Sequence, residues 1–416
     1  MSIRPVITTD PFDNVHIVWQ DMTDLGRIGT DDDIFYKVWN ATTHAWSIIT
    51  VLSPSGMEPS VGPEITADGL GNVHVIWRDK TDILGAGSDT DIFYRHWNKT
   101  TDSWSSIELV SNQSTGNVYW SSLDAKEGIV YVAWQDTTNY LGNGADEDVL
   151  VSKRDISGIW IPAETISTEG STISSFPDIK IDDYHNIHVC WDDATYFDNS
   201  GIDRDIFYRF KNGTTDIWSP IEVISSSSDL ASDRPVIIIS SNGDRFISWM
   251  DSSNILGAGI DSDIFYRKWD ATSRDWSNVE LLSSKSSGES NIPYLVLDSF
   301  ENIHAFWFDT NDFDNAGIDQ DIFYRYWNSS ADVWSEYTVI SDDQTNDSWR
   351  SEVDIDSQNI IHVVWHDRTI NYGGSGSDVD ILYSKGPIPK AAPYLTITDR
   401  PLDEVFISGS IGNYLS

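Results

Sequence analysis

One pattern recurs seven times along this chain: a tryptophan, an aspartate two residues later, a loop, and then Gly-x-Asp-x-Asp leading into a branched aliphatic residue. The second copy reads Trp77-Arg78-Asp79, a loop, then Asp89-Thr90-Asp91-Ile92-Phe93-Tyr94. The tryptophans are Trp19, Trp77, Trp134, Trp191, Trp249, Trp307 and Trp365, spaced 57 or 58 residues apart. A fixed period of this length marks one supersecondary unit used repeatedly. It overrides the two or three domains that 416 residues would otherwise suggest.

Within the second period, residues 63–68 read as a short strand A, ended by Gly69-Leu70-Gly71. Residues 72–77 are rich in β-branched and aromatic side chains and read as strand B. Residues 91–97 form strand C and residues 104–110 strand D, with a polar turn between them. Four short antiparallel strands per repeat predict an all-β, seven-bladed β-propeller. The blades begin near Ile3, Pro63, Ser121, Phe176, Pro235, Pro293 and Ser351. The propeller is expected over 1–386. Residues 387–416 open on the proline-rich Pro387-Ile388-Pro389 and read as a linker and C-terminal segment. Residues 394–398 or 404–408 then complete blade seven or begin a further domain. Completion is favoured, because an open edge at the closure is exposed to pairing.

Strands alternate in direction, so the B–C loops leave on the face of the D–A connections. Each loop carries three aspartates: Asp21, Asp31 and Asp33; Asp79, Asp89 and Asp91; Asp136, Asp146 and Asp148; Asp193, Asp203 and Asp205; Asp251, Asp261 and Asp263; Asp309, Asp319 and Asp321; Asp367, Asp378 and Asp380. Residues i and i+2 of a strand share a face, so each Asp-x-Asp sets two carboxylates side by side. A glycine two residues earlier, such as Gly87 or Gly201, frees the backbone. Oxygen ligands on such a loop suit Ca²⁺. The competing reading is that these side chains cap loop amides or pair with basic residues such as Arg95, Arg209, Arg267 and Arg325.

The net charge is −40, from 66 acidic and 26 basic side chains. Nucleic acid and anionic membrane surfaces are thereby disfavoured as partners. The 19 tryptophans, 17 tyrosines and 15 phenylalanines are the wrong composition for a disordered acidic chain. One cysteine, Cys190, excludes an internal disulfide and Cys-based metal sites. No apolar run approaches a membrane span, and no signal peptide is visible.

His16, His74, His188, His304 and His362 share one position in strand B, but Tyr131 and Phe246 stand there in blades three and five. Packing tolerates that exchange and chemistry does not, so these histidines read as core. Asn40, Asn98, Asn212 and Asn328 fit the N-glycosylation pattern in the C–D turn, where Asn is equally a good turn residue. Nucleophile-elbow, zinc-protease and phosphate-loop motifs are absent from the sequence. Asp192 and Trp349-Arg350 are singletons outside the repeat.

The Trp at the end of each C–D turn, as in Asn98-Lys99-Thr100-Thr101-Asp102-Ser103-Trp104, resembles the Asp-box (BNR) repeat of the sialidase-like propellers. The turn keeps the Trp and departs from the family's Asp and Gly spacing. The resemblance implies the propeller fold and a secreted or surface setting. It does not imply sialidase activity, because the arginines read as following the blades rather than forming a carboxylate-binding trio.

The expectation is a non-enzymatic, Ca²⁺-stabilised, extracellular or cell-surface module for adhesion, assembly or binding of a glycan or protein. The alternative is a carbohydrate-active enzyme, hydrolase or lyase, working at the central channel. A blade-specific cluster of acid–base groups in one pocket favours the enzyme. Equivalent sites in several blades favour the binding module.

Overall fold

The computed structural model describes residues 1–25, 31–54, 58–140, 146–168, 172–198, 200–313, 320–340, 348–367 and 379–387. They form seven antiparallel sheets, one for each repeat, in which A pairs with B and B with C. Blade two shows the plan: strand A is Val61–Ala67, B is Val73–Asp79 and C is Asp91–Asn98. Strand D is broken into Ser103–Trp104 and Glu108–Leu109, both paired with C. One continuous strand D was expected. It breaks because the Ser105 hydroxyl accepts the His96 amide at 3.1 Å in place of a ladder carbonyl. Ser47, Ser219, Ser277 and Ser335 do the same in other blades. The seventh sheet has three strands among the described residues, and the segments expected to complete it lie outside them.

Every residue of strand B in blade two is buried, because sheets cover both of its faces. Seven apolar clusters each join two neighbouring blades, and the one containing Trp19, Phe35, Val364 and Tyr383 joins the last blade to the first. The ring is therefore closed. The closure is also hydrogen-bonded: the Ser2 amide donates to the Val379 carbonyl at 3.0 Å, and the Thr9 amide to Asp354 at 2.6 Å. Cys190 is a buried member of the blade four–five cluster, as its setting in the sequence suggests. No helix long and apolar enough to cross a membrane occurs among the described residues.

Candidate active site

In every blade the A–B register slips at the same rung: between Ile3 and Val6 in blade one, Val61 and Glu64 in blade two, and at the matching places in the rest. A bulge of this kind re-aims a side chain. Here the residue in it has positive φ in several blades: 53° at Arg4, 48° at Phe176, 53° at Arg234 and 47° at Ile292. A proline follows each of these and fixes the next φ. The bulges face the central axis and form the loop-side mouth of a 440 Å³ cavity.

Among the described residues, the bulge positions Arg4, Gly62, Trp120, Phe176, Arg234 and Ile292 line that mouth. Gly62 contributes no side chain, and Arg78 from strand B occupies the space. The guanidinium carbons of Arg4, Arg78 and Arg234 lie 5.3, 5.4 and 5.4 Å from the Trp120 ring centroid. Arg234 also lies 4.5 Å from the Phe176 ring, which packs 4.6 Å from Trp120. Three cations thus meet on one aromatic pair in a strongly acidic chain, each contact of a kind worth about 0.5–2 kcal/mol.

Two further rungs line the cavity, each set by the i, i+2 alternation of strand A. The upper is Val6, Glu64, Ser122, Asp178, Val236, Tyr294 and Glu352; the lower is Thr8, Thr66, Asp124, Lys180, Ile238, Val296 and Asp354. These rungs do not repeat, and their ionisable groups belong to particular blades. Asp178 accepts from Ser122 at 2.8 Å and from the Ile237 amide of the next blade at 2.9 Å. Asp124 likewise accepts the Ile181 amide at 2.7 Å, so carboxylates cover the inner strand edges.

Burial, and then the charge of Asp178, push the Glu64 carboxyl up to about 8. Burial opposes the Lys180 charge, yet the carboxylates of Asp178, Asp124, Glu64 and Glu352 outweigh it and raise its pKa. Burial, followed by Glu352, Asp354, Asp178 and Glu64, holds the Tyr294 phenol protonated. Burial also raises Asp124 and Asp354, and Glu64 and Tyr294 stand as protonated oxygen acids at neutral pH beneath the arginine cluster.

The aspartates of the repeat lie elsewhere, in the loops around this mouth. Those on strand B are hydrogen-bond hubs. Asp251 accepts from Ser232 at 2.7 Å, from Trp249 Nε1 at 3.1 Å and from the Ser253 amide at 2.7 Å. Asp21, Asp193 and Asp309 bind a strand A serine, their blade's Trp and a loop amide in the same way. Asp79 binds Ser60 and the Thr81 amide, and Asp136 binds Trp134 Nε1 and the Thr138 amide. These are loop latches, and they account for half of the motif.

The strand C aspartates Asp33, Asp91, Asp148, Asp205 and Asp263 each face the strand B aspartate in register and accept on Oδ1 from a serine just past strand D, at 2.6–2.8 Å. The Oδ2 atoms of Asp33, Asp91, Asp205 and Asp263 are buried with no hydrogen-bond partner, as are those of Asp89 and Asp203 two residues before the strand C residue. Burial first, and the neighbouring Asp89 next, push Asp91 up to about 7. Asp205 and Asp263 also rise to about 7 and Asp33 to about 6, each mainly through burial. Asp31, Asp146 and Asp261 are half-buried, and Asp321 and Asp380 are buried. Asp367 pairs in register with Asp380, while Asp319 and Asp378 lie outside the described residues. Among the described residues no three His, Cys, Asp or Glu side chains are disposed to hold a metal ion. Asp89 with Asp91 and Asp203 with Asp205 thus offer pairs of buried, unpartnered oxygens, with the strand B carboxylate turned to its own donors.

The repeated arginines do not pair with these aspartates. Arg95 bonds the Ser105 and Leu52 carbonyls, and Arg209, Arg267 and Arg325 make the matching inter-blade ties. The expectation that the arginines follow the blades and form no trio is corrected: Arg4 and Arg234 from two bulges and Arg78 from strand B of blade two meet on Trp120. The histidines are structural, as expected, each between a Tyr hydroxyl at 2.7–2.8 Å and an A–B turn aspartate. Asn40, Asn98, Asn212 and Asn328 each cap two turn amides through Oδ1.

No family model matches this chain, and no curated protein matches it. Solved structures do. A polysaccharide lyase of family PL25, an ulvan lyase bound to -[GlcA(1-4)Rha3S]-, matches with TM-score 0.62 over 90% of each chain at 12% identity. The polysaccharide lyase Uly1 matches at 0.56 over 91% of this chain and 88% of that one, at 10% identity. A protein of unknown function from Dyadobacter fermentans matches at 0.50 over 77% and 93%, at 10% identity. A microbial sialidase is a looser neighbour at 0.45 over 80% and 66%, at 11% identity. The fold is thus an all-β, seven-bladed propeller. The expected non-enzymatic adhesion or assembly module is overturned: the two named neighbours of known activity at 0.62 and 0.56 are polysaccharide lyases, and the channel holds a blade-specific set of ionisable groups.

Proposed function

We propose that this chain is a carbohydrate-active enzyme, a lyase that cleaves an acidic polysaccharide at the loop-side mouth of its central channel. The observation that carries this reading is the meeting of Arg4, Arg78 and Arg234 on Trp120. Guanidinium forks match carboxylate and sulfate oxygens. The likeness to a lyase bound to a GlcA-containing repeat supports an anionic sugar as the substrate class. In lyase cleavage a base takes the proton α to a uronate carboxylate, a part open to the upper-rung carboxylates Asp178 and Glu352, and the C4–O bond breaks, its oxygen leaving with a proton from an acid. Neutralising the carboxylate stabilises the carbanion that develops, so the arginines act on the transition state. Tyr294 and Glu64, both protonated at neutral pH, are the channel's proton donors for the leaving oxygen.

Incubation with a panel of uronate polysaccharides tests this. The expected product is an unsaturated uronate end, read by its ultraviolet absorbance, with kcat lowered about 10²–10³-fold in Arg78→Ala. Glu64 beside Asp178 also suits hydrolysis by a carboxyl pair, and saturated reducing ends without ultraviolet absorbance would establish that reading instead. An enzyme of either class meets its polymeric substrate outside the cell, which supports an extracellular setting. Open oxygens in the B–C loops support Ca²⁺ as a structural ion there.

A further inference from the structure

On the opposite face, where the A–B and C–D turns emerge, blade five departs from the repeat in a way that leaves a hole. In five blades an A–B turn aspartate and a strand B histidine meet: Asp10 and His16, Asp68 and His74, Asp182 and His188, Asp298 and His304, Asp356 and His362. Blade five has Ser240 and Phe246 at those positions. Phe246 stacks on Tyr266 at 5.1 Å, and the Tyr266 hydroxyl turns instead to Glu280 at 2.6 Å. A cavity of 140 Å³ opens between blades five and six.

Its apolar wall is Phe246, Leu297, Ile303 and Trp327, and Ser240, Asn242 and Glu301 stand at its polar side. Lys268 lies 4.6 Å from the Trp327 ring and 3.3 Å from Asp244, so its charge is matched within the pocket. An apolar wall with a few convergent polar groups is the usual composition of a small-ligand site. At roughly 30 Å³ of liquid per water, the cavity has the room of about five waters. That suits one pyranose ring, with its apolar C–H face and its hydroxyl edge. Two carboxylates against one ammonium disfavour an acidic sugar, in contrast to the channel.

We infer that this pocket is a second binding site, for a single neutral sugar unit, separate from the channel. Two sites on opposite faces let one enzyme stay attached to a glycan while the channel acts. The inference does not depend on the reaction assigned to the channel.

The test uses the full chain and a panel of neutral methyl glycosides (glucoside, galactoside, mannoside, xyloside and rhamnoside), with binding followed by ligand-observed NMR and calorimetry. At least one glycoside should bind at millimolar concentration. Its affinity should fall about ten-fold or more in Ser240→Asp/Phe246→His, which rebuilds the pair that five other blades already use. Asn242→Ala on the exposed rim gives a second reading should the double variant fold poorly. Arg78→Ala should bind as the parent does. No binding by any glycoside, binding undiminished in both pocket variants, or binding lost in Arg78→Ala would each overturn the inference.

Discussion

The space that Gly62 leaves unfilled is taken by the guanidinium of Arg78: a Cβ at residue 62 would overlap Nη2 and stand 3.0 Å from Nε. The backbone there, at φ 59°, is one that Arg4, Phe176, Arg234 and Ile292 adopt with side chains. Gly62→Ala should therefore fold with a melting temperature within a few degrees of the parent and lose activity by displacing Arg78. Kinetics beside a thermal melt check this. A large loss of stability with activity kept per folded molecule would show that the glycine serves only the backbone.

Glu64 supplies a pH signature. With its carboxyl near 8, it is protonated through neutral pH and ionises above that value. If it donates to the leaving oxygen, kcat/KM falls as pH rises through about 8, and Glu64→Gln loses this limb together with most of kcat. An unchanged alkaline limb in Glu64→Gln assigns it to another group.

The strand C aspartates make stability fall with rising pH. Asp91, Asp205 and Asp263 stand near 7 and Asp33 near 6, all above the unfolded value of 3.8. Their folded forms bind more protons than the unfolded chain does between about pH 4 and 7. The associated stability is full at the acid end and is lost as pH passes through the folded values. Chelator-stripped protein should melt higher at pH 5.5 than at pH 8, and Asp91→Asn should narrow the gap. Millimolar Ca²⁺ should raise the pH 8 melt, by linkage, wherever the open Oδ2 atoms hold it. A pH 8 melt indifferent to Ca²⁺, Mg²⁺ and Mn²⁺ removes the ion from the loops.

His188 is predicted to be structural. Its Nδ1 lies 2.7 Å from the Tyr208 hydroxyl and its Nε2 3.2 Å from Asp182, all buried. His188→Ala opens a cavity and strands two polar partners, costing about 2–4 kcal/mol. His188→Phe should cost less, because blade five already stacks Phe246 on Tyr266. Denaturant melts give the ranking, and full activity in folded His188→Phe would confirm the structural role.

The propeller was legible in the sequence because each blade is encoded locally. A Trp and Asp two residues apart must share a strand face, and the same rule in seven copies sets seven similar sheets side by side. The faces were legible too, since strands alternate in direction. Strand D was misread as continuous because a serine hydroxyl replaces a ladder carbonyl, which composition does not reveal. The loop aspartates drew attention to themselves by repetition, and those described on strand B, such as Asp251, serve as hydrogen-bond hubs of the repeat. The channel groups sit in positions where the blades differ, so no period points to them. Only Arg350 and Asp192 stood out from the repeat, and the first shares the bulge register of Arg4 and Arg234.

What the sequence determined alone is therefore the blade, its strands and the face on which the acidic loops emerge, all consequences of short-range alternation and turn chemistry. What the tertiary structure decided is the site. Closing the ring turns equivalent rungs of seven distant strands into neighbours around one axis. Residues of blades one, two, three and five then meet, although nothing local links Arg4, Arg78, Trp120 and Arg234. The missing side chain at Gly62 admits Arg78 from the neighbouring strand B of its own blade, and only the closed ring then brings that guanidinium to Trp120 of the next blade.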